Sequence, residues 1–440
     1  MTKELTQKVL KSLKNSYVSD DKALAVRRAL NKTDVLDLLH VQENDQKVGH
    51  NFSIDIKTMK VTSQGQSGRC WIFAGCNFLR EETARKFNVE DFELSQNYVA
   101  YWDKMEKINW TMESIISLKD VSWDDRTLMW VLNNSIGDGG QWDMFAGLIE
   151  KYGIVPKSVF PETYAACHTR SWTSLVKRRL RKFAADVQKN KDDKKAIDRL
   201  KEKCLEELYS FSTSCFGLPP EKFDFEYVDK DGKYHIEKDL DPKSFYQKYI
   251  GLDLKEYASL IHSPTEDKPY YERFTVNYVG NIVGNPVVYT NVTLSDLKKG
   301  IINQLKSGQI VWFGSDVGRW GNREMGVWDM NNYDLKALFD LDIAMSKEDS
   351  LYYCESAMNH AMCITGVTLE KGKPVKWKIE NSWGDNSGNK GYYLCSDEWF
   401  DFYVYQAVVS KKFLPKKVID CLDKKPGDLN PWDPMGTLAD

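Results

Sequence analysis

Hydrophobic and polar positions follow helical spacing in the first part of this chain and strand spacing from about residue 273 onward. Residues 71–79 place apolar side chains on one face of a helix, and residues 175–208 show two amphipathic helices joined by a polar turn. Later apolar runs are short, which is typical of buried strands. Strands are predicted at 51–60, 274–283, 286–294, 309–317, 358–366, 375–381, 391–394 and 403–410, with a helix near 294–306. The pattern predicts an α+β fold with a helical lobe, a sheet-rich lobe and a ligand-binding cleft between them.

Changes in pattern and composition divide the chain into five predicted units. They are an N-terminal arm (1–50), a helical lobe (51–165), an inserted helical subdomain (166–272), a sheet-rich lobe (273–420) and a C-terminal arm (421–440). The C-terminal arm is rich in Pro, Gly and polar residues, and this composition is compatible with a disordered tail. Trp432 and Met435 beside prolines instead favour an ordered segment that contacts the rest of the protein.

The charge pattern does not indicate a strong electrostatic partner. The 440 residues carry a formal net charge of −3. The basic run at 177–182 invites a nucleic-acid interpretation, but acidic residues follow closely, and such runs are usually solvated helix faces. Nucleic-acid binding is therefore not expected. No run of about 18 apolar residues occurs, so membrane insertion is not expected either.

The nine cysteines are odd in number and scattered, without paired CxxC spacing. This favours free thiols in a reducing compartment. The N-terminal residues lack the apolar core of a signal peptide, so the expected location is the cytoplasm. HExxH and paired Cys/His ligand spacings are also missing, and we expect neither a metal nor another cofactor.

One cysteine stands where a thiol would be reactive. Gly65 and Gly68 make the approach to Cys70 turn-forming, and the helical pattern starts directly after it. The unpaired N–H groups and the macrodipole at a helix start favour an anion, and they are expected to lower the thiol pKa from about 8.5. The competing interpretation is a buried structural cysteine, because free cysteine is among the most buried residue types.

Two distant residues complete a candidate catalytic set with Cys70. A nucleophilic cysteine needs a base, and the base needs a third group that fixes its tautomer. His360 lies in an apolar strand pattern, and Asn381 ends the next predicted strand, so neighbouring strands would bring them side by side. Alone, each would more often be a core histidine or a turn residue. Their joint occurrence with Cys70 favours catalysis.

These residues resemble the papain-like cysteine peptidases, and most closely the bleomycin hydrolase and bacterial aminopeptidase C family. The resemblance implies a papain-like two-lobe fold and covers nearly the whole chain. It makes Cys70 the nucleophile, His360 the general base and then general acid, and Asn381 the residue that orients the imidazole. The matching motifs are Gln64, the GRCW sequence at 68–71, His360 and the NSWG sequence at 381–384.

The same resemblance suggests supporting roles near the nucleophile. Gln64 would donate to the oxyanion beside the Cys70 N–H group, and Gln66 is a competing candidate. Trp383 would shield the His–Asn hydrogen bond from water. Family members usually have Thr where Asn359 stands and Lys where Gly65 stands. These departures leave the triad intact and affect substrate preference.

The resemblance also implies how a substrate binds. Papain-like enzymes hold the substrate backbone along a Gly-Gly segment, here Gly139 and Gly140, although the residues alone favour an ordinary helix-connecting loop. In bleomycin-hydrolase-like proteins the C-terminus runs into the cleft and its carboxylate meets the substrate's amino group. Ala439 and Asp440 would stand there, Asp440 adding a second carboxylate. The insertion of that family builds a homohexamer.

The favoured interpretation is a cytosolic cysteine aminopeptidase that releases N-terminal residues from peptides through a thioester. Three alternatives stay open. The first is an endopeptidase of the same family with a differently placed C-terminal arm. The second is a Cys–His acyl transferase that uses an amine, and the third is a nucleic-acid-binding scaffold.

Overall fold

The computed structural model describes residues 4–45 and 49–439. The fold mixes helices and strands, and the predicted α+β class is confirmed. No helix in the described ranges is long and apolar enough to cross a membrane. The first eleven helices are α1 (Gln7–Val18), α2 (Asp21–Ala29), α3 (Val35–Leu39), α4 (Gln42–Asp45), α5 (Cys70–Phe87), α6 (Gln96–Ser117), α7 (Arg126–Asn134), α8 (Trp142–Tyr152), α9 (Tyr164–Cys167), α10 (Arg170–Lys189) and α11 (Lys194–Phe216).

Most strands come later in the chain, with shorter helices between them. The strands are β1 (Ile54–Asp55), β2 (Phe223–Val228), β3 (Tyr234–Leu240), β4 (Tyr257–Ile261), β5 (Arg273–Val276), β6 (Tyr289–Asn291), β7 (Val311–Ser315), β8 (Gly321–Asn322), β9 (Val327–Trp328), β10 (His360–Glu370), β11 (Lys373–Glu380), β12 (Tyr392–Ser396), β13 (Val404–Ser410) and β14 (Gly427–Leu429). The remaining α-helices are α12 (Pro242–Phe245), α13 (Leu294–Lys306), α14 (Leu335–Phe339), α15 (Lys347–Tyr352), α16 (Asp397–Tyr403) and α17 (Lys416–Ile419).

One large mixed sheet carries the residues of interest. Its strand order is β14-β5-β6-β4-β13-β7-β10-β11-β12-β9-β8, and β1 pairs with β10. β10 runs antiparallel to both β7 and β11, with His360 opposite Ser315 and Cys363 opposite Glu380. Asn381 follows directly after β11. The prediction that neighbouring strands bring His360 and Asn381 side by side is therefore confirmed.

Helix α5 packs against this sheet through its first turns. Its apolar residues surround most of the helix circumference, a pattern typical of a helix buried between layers. Trp312 on β7 donates its indole N–H to the main-chain oxygen of Trp71, at 3.2 Å. The Cys363 thiol on β10 contacts the main-chain oxygen of Ala74, at 3.3 Å. These contacts fix the start of α5 over the middle of the sheet.

The predicted helix near 294–306 is found at α13 with the same bounds. Thr293 caps it, because its hydroxyl accepts a hydrogen bond from the Asp296 N–H at 3.3 Å. After α13, Gly308 adopts a left-handed φ of 82°, which a residue without a side chain adopts at little cost. Local sequence signals are sufficient to define this helix.

Several strand predictions are too long or incomplete. The run at 274–283 is a strand only in β5, because Tyr278 turns the backbone to a φ of 61°. Within the stretch at 51–60, only β1 is a strand. The inserted segment contains a two-stranded sheet, β2-β3, and strand β4 as well as its two long helices, and the periodicity did not predict these strands.

The two arms differ in burial. No residue of α1 is buried, whereas the C-terminal arm ends in a 3₁₀ helix, Pro434–Ala439, in which Met435 and Leu438 are buried in the core that contains Cys70. The prediction of an ordered C-terminal arm is confirmed for its described residues.

Candidate active site

Cys70 is the first residue of α5, and only 4% of its surface is exposed. Its sulfur accepts a contact from the main-chain N–H of Ala361 on β10, at 3.4 Å. That nitrogen belongs to the peptide bond after His360, so by standard bond lengths the sulfur lies within roughly 6 Å of the His360 Cα atom. The structure thus brings the predicted nucleophile and the predicted base together.

All nine cysteines are free, and this contact distinguishes Cys70 from the others. The other buried thiols are Cys76, Cys204, Cys363, Cys395 and Cys421. Among these buried cysteines, only Cys70 is the first residue of a helix, and its sulfur contacts the main chain of β10. In the described part of the chain, no group of three or more His, Cys, Asp or Glu side chains is arranged to hold a metal ion.

A buried ion pair shapes the turn that leads into Cys70. The Arg69 side chain donates to the Ser67 hydroxyl at 2.9 Å and to the Glu162 carboxylate at 3.2 and 2.9 Å. Only 1% of the Arg69 side chain is exposed. Removing one partner of such a pair typically costs about 3–5 kcal/mol, because the other charge stays buried and uncompensated. The sequence placed Arg69 in a motif without indicating this structural role.

His360 and Asn381 form the predicted hydrogen bond. His360 Nε2 lies 2.8 Å from Asn381 Oδ1, and the same oxygen accepts the main-chain N–H of Ser382 at 2.7 Å. Because a main-chain N–H only donates, the Oδ1 atom is an acceptor, and His360 carries its proton on Nε2. The lone pair then resides on Nδ1, the ring nitrogen that is free to act as a base.

Trp383 covers the imidazole, as predicted. Its ring stacks on His360 with centroids 4.9 Å apart and planes 29° apart. An aromatic ring in this position keeps water from the His360–Asn381 hydrogen bond, which is stronger in a low-dielectric environment. The guanidinium group of Arg323 lies over the Trp383 ring, 4.2 Å from its centroid.

Burial shifts the pKa values of Cys70 and His360 in the directions that favour their neutral forms. Burial raises the pKa of Cys70 to about 11, although the main-chain N–H groups of Ala361, Trp71 and Cys70 itself oppose that shift. Burial also lowers the pKa of His360 to about 4, against the effect of its hydrogen bond to Asn381. The expectation of a lowered thiol pKa is therefore wrong for this state, because desolvation outweighs the donors at the helix start.

Gln64 is buried beside the nucleophile turn. Its Oε1 atom accepts the Ser382 hydroxyl at 2.7 Å, and its Nε2 donates to the main-chain oxygen of Ser67 at 2.6 Å. An amide NH₂ group has two hydrogens, so one Nε2 hydrogen is left for another acceptor. Gln66, the competing candidate, has an exposed side chain. The geometry favours Gln64.

The Gly139-Gly140 segment passes close to the nucleophile helix. A Cβ atom on Gly140 would lie 2.4 Å from the Trp71 ring, so only glycine fits this path. The main-chain N–H of Gly140 donates to the main-chain oxygen of Leu438, at 2.9 Å. The Gly139 oxygen accepts from the ammonium of Lys107. Lys107 and Leu438 therefore hold both of these backbone groups of the buried segment.

Asp138, which sequence reasoning missed, fixes this segment to the turn before Cys70. Its carboxylate accepts the Gly68 N–H at 2.9 Å and pairs with Lys104 at 2.7 Å. Its main-chain oxygen accepts the Trp71 indole N–H at 2.7 Å. Although burial raises the pKa of Asp138, Lys104 and the hydrogen-bond donors hold it well below its usual range. The sequence signal was only its place in a Gly-rich loop.

The C-terminal arm lies against the Gly-Gly segment. Besides the Leu438–Gly140 bond, the Thr437 hydroxyl donates to the main-chain oxygen of Met358 at 2.8 Å. Ala439 is the last described residue and is partly buried. Asp440, the other predicted residue of the arm, lies outside the described residues.

Asn359, which stands where the family usually has Thr, fixes the start of β10 through side-chain hydrogen bonds. Its Nδ2 donates to Asp316 Oδ1 at 2.6 Å, and its Oδ1 accepts the Val317 N–H at 3.1 Å. Asp316 also accepts the Ser356 hydroxyl at 2.8 Å. This network holds the residue that precedes His360, and no sequence pattern indicated it.

Comparison with known proteins identifies the family of this chain. The Peptidase C1-like family matches residues 4–436. An aminopeptidase C of Lactobacillus delbrueckii subsp. lactis is 49% identical over 395 residues, 88% of each chain, and one of Listeria monocytogenes is 41% identical over 440 residues, 100% of each chain. The crystal structure of PepW from Lactobacillus rhamnosis HN001 has a TM-score of 0.97 at 44% identity and covers 99% of each chain. This chain therefore belongs to the Peptidase C1-like family.

Proposed function

We propose that Cys70, His360 and Asn381 act together to release the N-terminal residue of a peptide. Two contacts carry this proposal. The Cys70 sulfur accepts the main-chain N–H of Ala361, the residue after His360, and the His360 imidazole is hydrogen-bonded to Asn381 Oδ1. The prediction of a cysteine-type aminopeptidase is confirmed by the family match and by full-length relatives that bear the name aminopeptidase C. The roles of individual residues are inferred from their geometry.

The reaction begins with proton transfer from the Cys70 thiol to His360 Nδ1. The thiolate attacks the first peptide carbonyl, and the imidazolium then gives its proton to the leaving amine as the C–N bond breaks. A thioester remains on Cys70. Water attacks the thioester while His360 takes a proton from it as general base. The C–S bond then breaks, the imidazolium returns its proton to the Cys70 sulfur, and the N-terminal residue leaves as a free amino acid. Asn381 holds the imidazole in the tautomer that both steps need.

Two donors are proposed to stabilise the oxyanion that forms in each step. One is the main-chain N–H of Cys70, which has no partner within α5 because it belongs to the first turn. The other is the remaining Nε2 hydrogen of Gln64. Donors of this kind are worth about 3–4 kcal/mol each in the transition state.

The domain division is also proposed from these contacts. Helices α5 to α8 fall within 51–165 and the central strands β7 and β10 to β13 within 273–420, as a papain-like two-lobe plan requires. The two lobes meet where α5 touches β10. We assign residues 166–272 to an inserted subdomain for oligomerisation, and residues 1–50 to an N-terminal arm.

The C-terminal arm is proposed to limit cleavage to N-terminal residues. Leu438 already accepts the Gly140 N–H that an extended substrate backbone would use. The arm therefore occupies the side of the cleft that longer peptides need. Next to Ala439, Asp440 would present its carboxylates to the free ammonium group of a substrate, which an acetylated peptide lacks.

One pair of peptides tests this function. We expect an unblocked peptide to lose residues one at a time from its N-terminus and its acetylated twin to stay intact, as followed by chromatography of the products. An endopeptidase, the alternative within the same family, cleaves both peptides internally. That result would reject the proposed role of the C-terminal arm and leave the thiol mechanism in place.

On the acid side, activity should be lost at a pH below the usual range of histidine pKa values. Catalysis needs one shared proton on the Cys70–His360 pair, and this state is lost when His360 becomes protonated in acid. Because burial lowers the pKa of His360 to about 4, kcat/KM should stay high through pH 6 and fall only as the pH approaches that value. A pH profile measured with a stable arylamide checks this. An acid limb above pH 6.5 would contradict it.

Assembly and location are inferred in the same way. Helix α1 exposes a row of apolar side chains that a second copy of the chain would cover. The exposed row consists of Val9, Leu10, Leu13, Tyr17 and Val18. We infer a homo-oligomer, with a homohexamer as the form implied by the family, and a reducing, cytoplasmic location in which nine thiols stay free.

A further inference from the structure

A positively charged side chain that the proposed mechanism does not use, Arg323, lies beside the candidate active site. Arg323, between β8 and β9, is exposed, and its guanidinium lies 4.2 Å from the centroid of the Trp383 ring. The nearby Arg319 is paired with Asp316 and Glu355, at 3.8 and 3.4 Å. Within the described ranges Arg323 has no carboxylate partner of this kind. Its charge is therefore available to a ligand.

The leaving part of a substrate passes this cation. The C-terminal arm closes the side of the cleft at Gly140, so the chain beyond the cleaved bond must run the other way. His360 protonates the leaving amine, and that amine therefore lies against the imidazole. Trp383 stacks on His360, and the Arg323 guanidinium lies over the Trp383 ring. The hydrogen bonds to the imidazole and to the guanidinium cover part of the distance across these ring contacts. One or two residues of an extended chain, at about 3.5 Å each, can span the rest.

We propose that Arg323 binds a carboxylate on the leaving part of the substrate, and that it thereby favours short peptides with a free C-terminus. This specificity rests on the proposed aminopeptidase function. The carboxylate has two possible sources with the same chemistry. One is the C-terminus of a dipeptide or tripeptide, and the other is an acidic side chain just after the cleaved bond.

Arginine suits this position better than lysine. Its planar guanidinium stacks on the indole, which orients it while its edge N–H groups stay free for two parallel bonds to a carboxylate. Hydrogen bonds to charged groups are among the stronger ones in proteins. Because Arg323 is exposed, water and salt weaken the interaction, and its effect should fall at high ionic strength.

The test compares free and amidated substrates. For the wild-type protein, we expect leucyl-alanine to be cleaved with a higher kcat/KM than leucyl-alaninamide. In Arg323→Gln the preference for the free acid should fall about tenfold, mainly through KM, while a neutral leucyl-arylamide is cleaved as before. Arg323→Lys should keep part of the preference, because it retains the charge and loses the planar fork.

Glu324→Gln is the matched control, because Glu324 is the next residue of the same loop and is also exposed. It should leave the preference unchanged. A second substrate pair, leucyl-glutamyl amide and leucyl-glutaminyl amide, tells whether an acidic side chain also serves as the carboxylate.

The outcomes separate this proposal from the function on which it rests. Equal preference in wild type and Arg323→Gln, or an equal loss on neutral and charged substrates, would overturn the role of Arg323. Failure of the wild-type protein to cleave the neutral arylamide would instead count against the aminopeptidase function.

Discussion

Replacing Cys70 with alanine should lower kcat for an aminoacyl-arylamide by about 10⁶-fold, to a level near background. The variant lacks the atom that forms the thioester, and the remaining oxyanion donors supply only a small part of the rate enhancement. The fold should survive, because the change removes one buried sulfur from the start of α5. Steady-state kinetics and a thermal melt together measure the two effects.

Cys76→Ala is the matched control for this substitution. Cys76 is fully buried in the same helix, so its loss costs stability of about 1–2 kcal/mol, while catalysis should remain near the wild-type rate. A chelator should leave the wild-type activity intact. Substantial hydrolysis by Cys70→Ala would reject the thiol mechanism.

Deleting residues 437–440 should let the enzyme cleave acetylated peptides, which we expect the full-length chain to leave intact. The deletion removes the Leu438 oxygen from Gly140 and opens the Gly-Gly segment to a longer substrate backbone. We expect internal cleavage to rise at least about tenfold, because a main-chain hydrogen bond and the space next to it become available. At the same time the KM for unblocked substrates should rise, since the deletion removes the carboxylates that we propose bind the ammonium group.

Thr437→Ala serves as the control for that deletion. It removes the hydroxyl that donates to Met358 and keeps the arm's backbone contact with Gly140. The variant should remain an exopeptidase. A folded deletion variant that cleaves unblocked peptides as before and still ignores acetylated ones would show that the C-terminal arm does not set the cleavage mode.

The sequence alone was sufficient to propose the candidate catalytic set, through the joint occurrence of its three members. Cys70, His360 and Asn381 each follow a local pattern, a glycine-rich approach to a helix or the end of an apolar strand, and such patterns are encoded over a few residues. The same holds for α13 and for the neighbouring strands β10 and β11. Local chemistry also predicted that the C-terminal arm is ordered, because Trp432 and Met435 are unlike the residues of a disordered tail.

Other features depend on groups that are far apart in the chain. The Asp316–Asn359 bond, the Asp138–Gly68 bond and the stack of Arg323 on Trp383 each join segments whose proximity no local pattern predicts. The pKa of the Cys70 thiol shows the difference most clearly. Its helix-start donors are visible in the sequence, but burial outweighs them and raises the pKa to about 11.

The residue types and their order along the chain thus determined which chemistry this protein can perform and which helix and strands carry it. Only the tertiary structure decided how those groups are charged, which side of the cleft is closed and which cation remains open to a substrate. The physical reason is that desolvation and long-range contacts depend on everything packed around a group, whereas helix starts and strand patterns depend on its immediate neighbours.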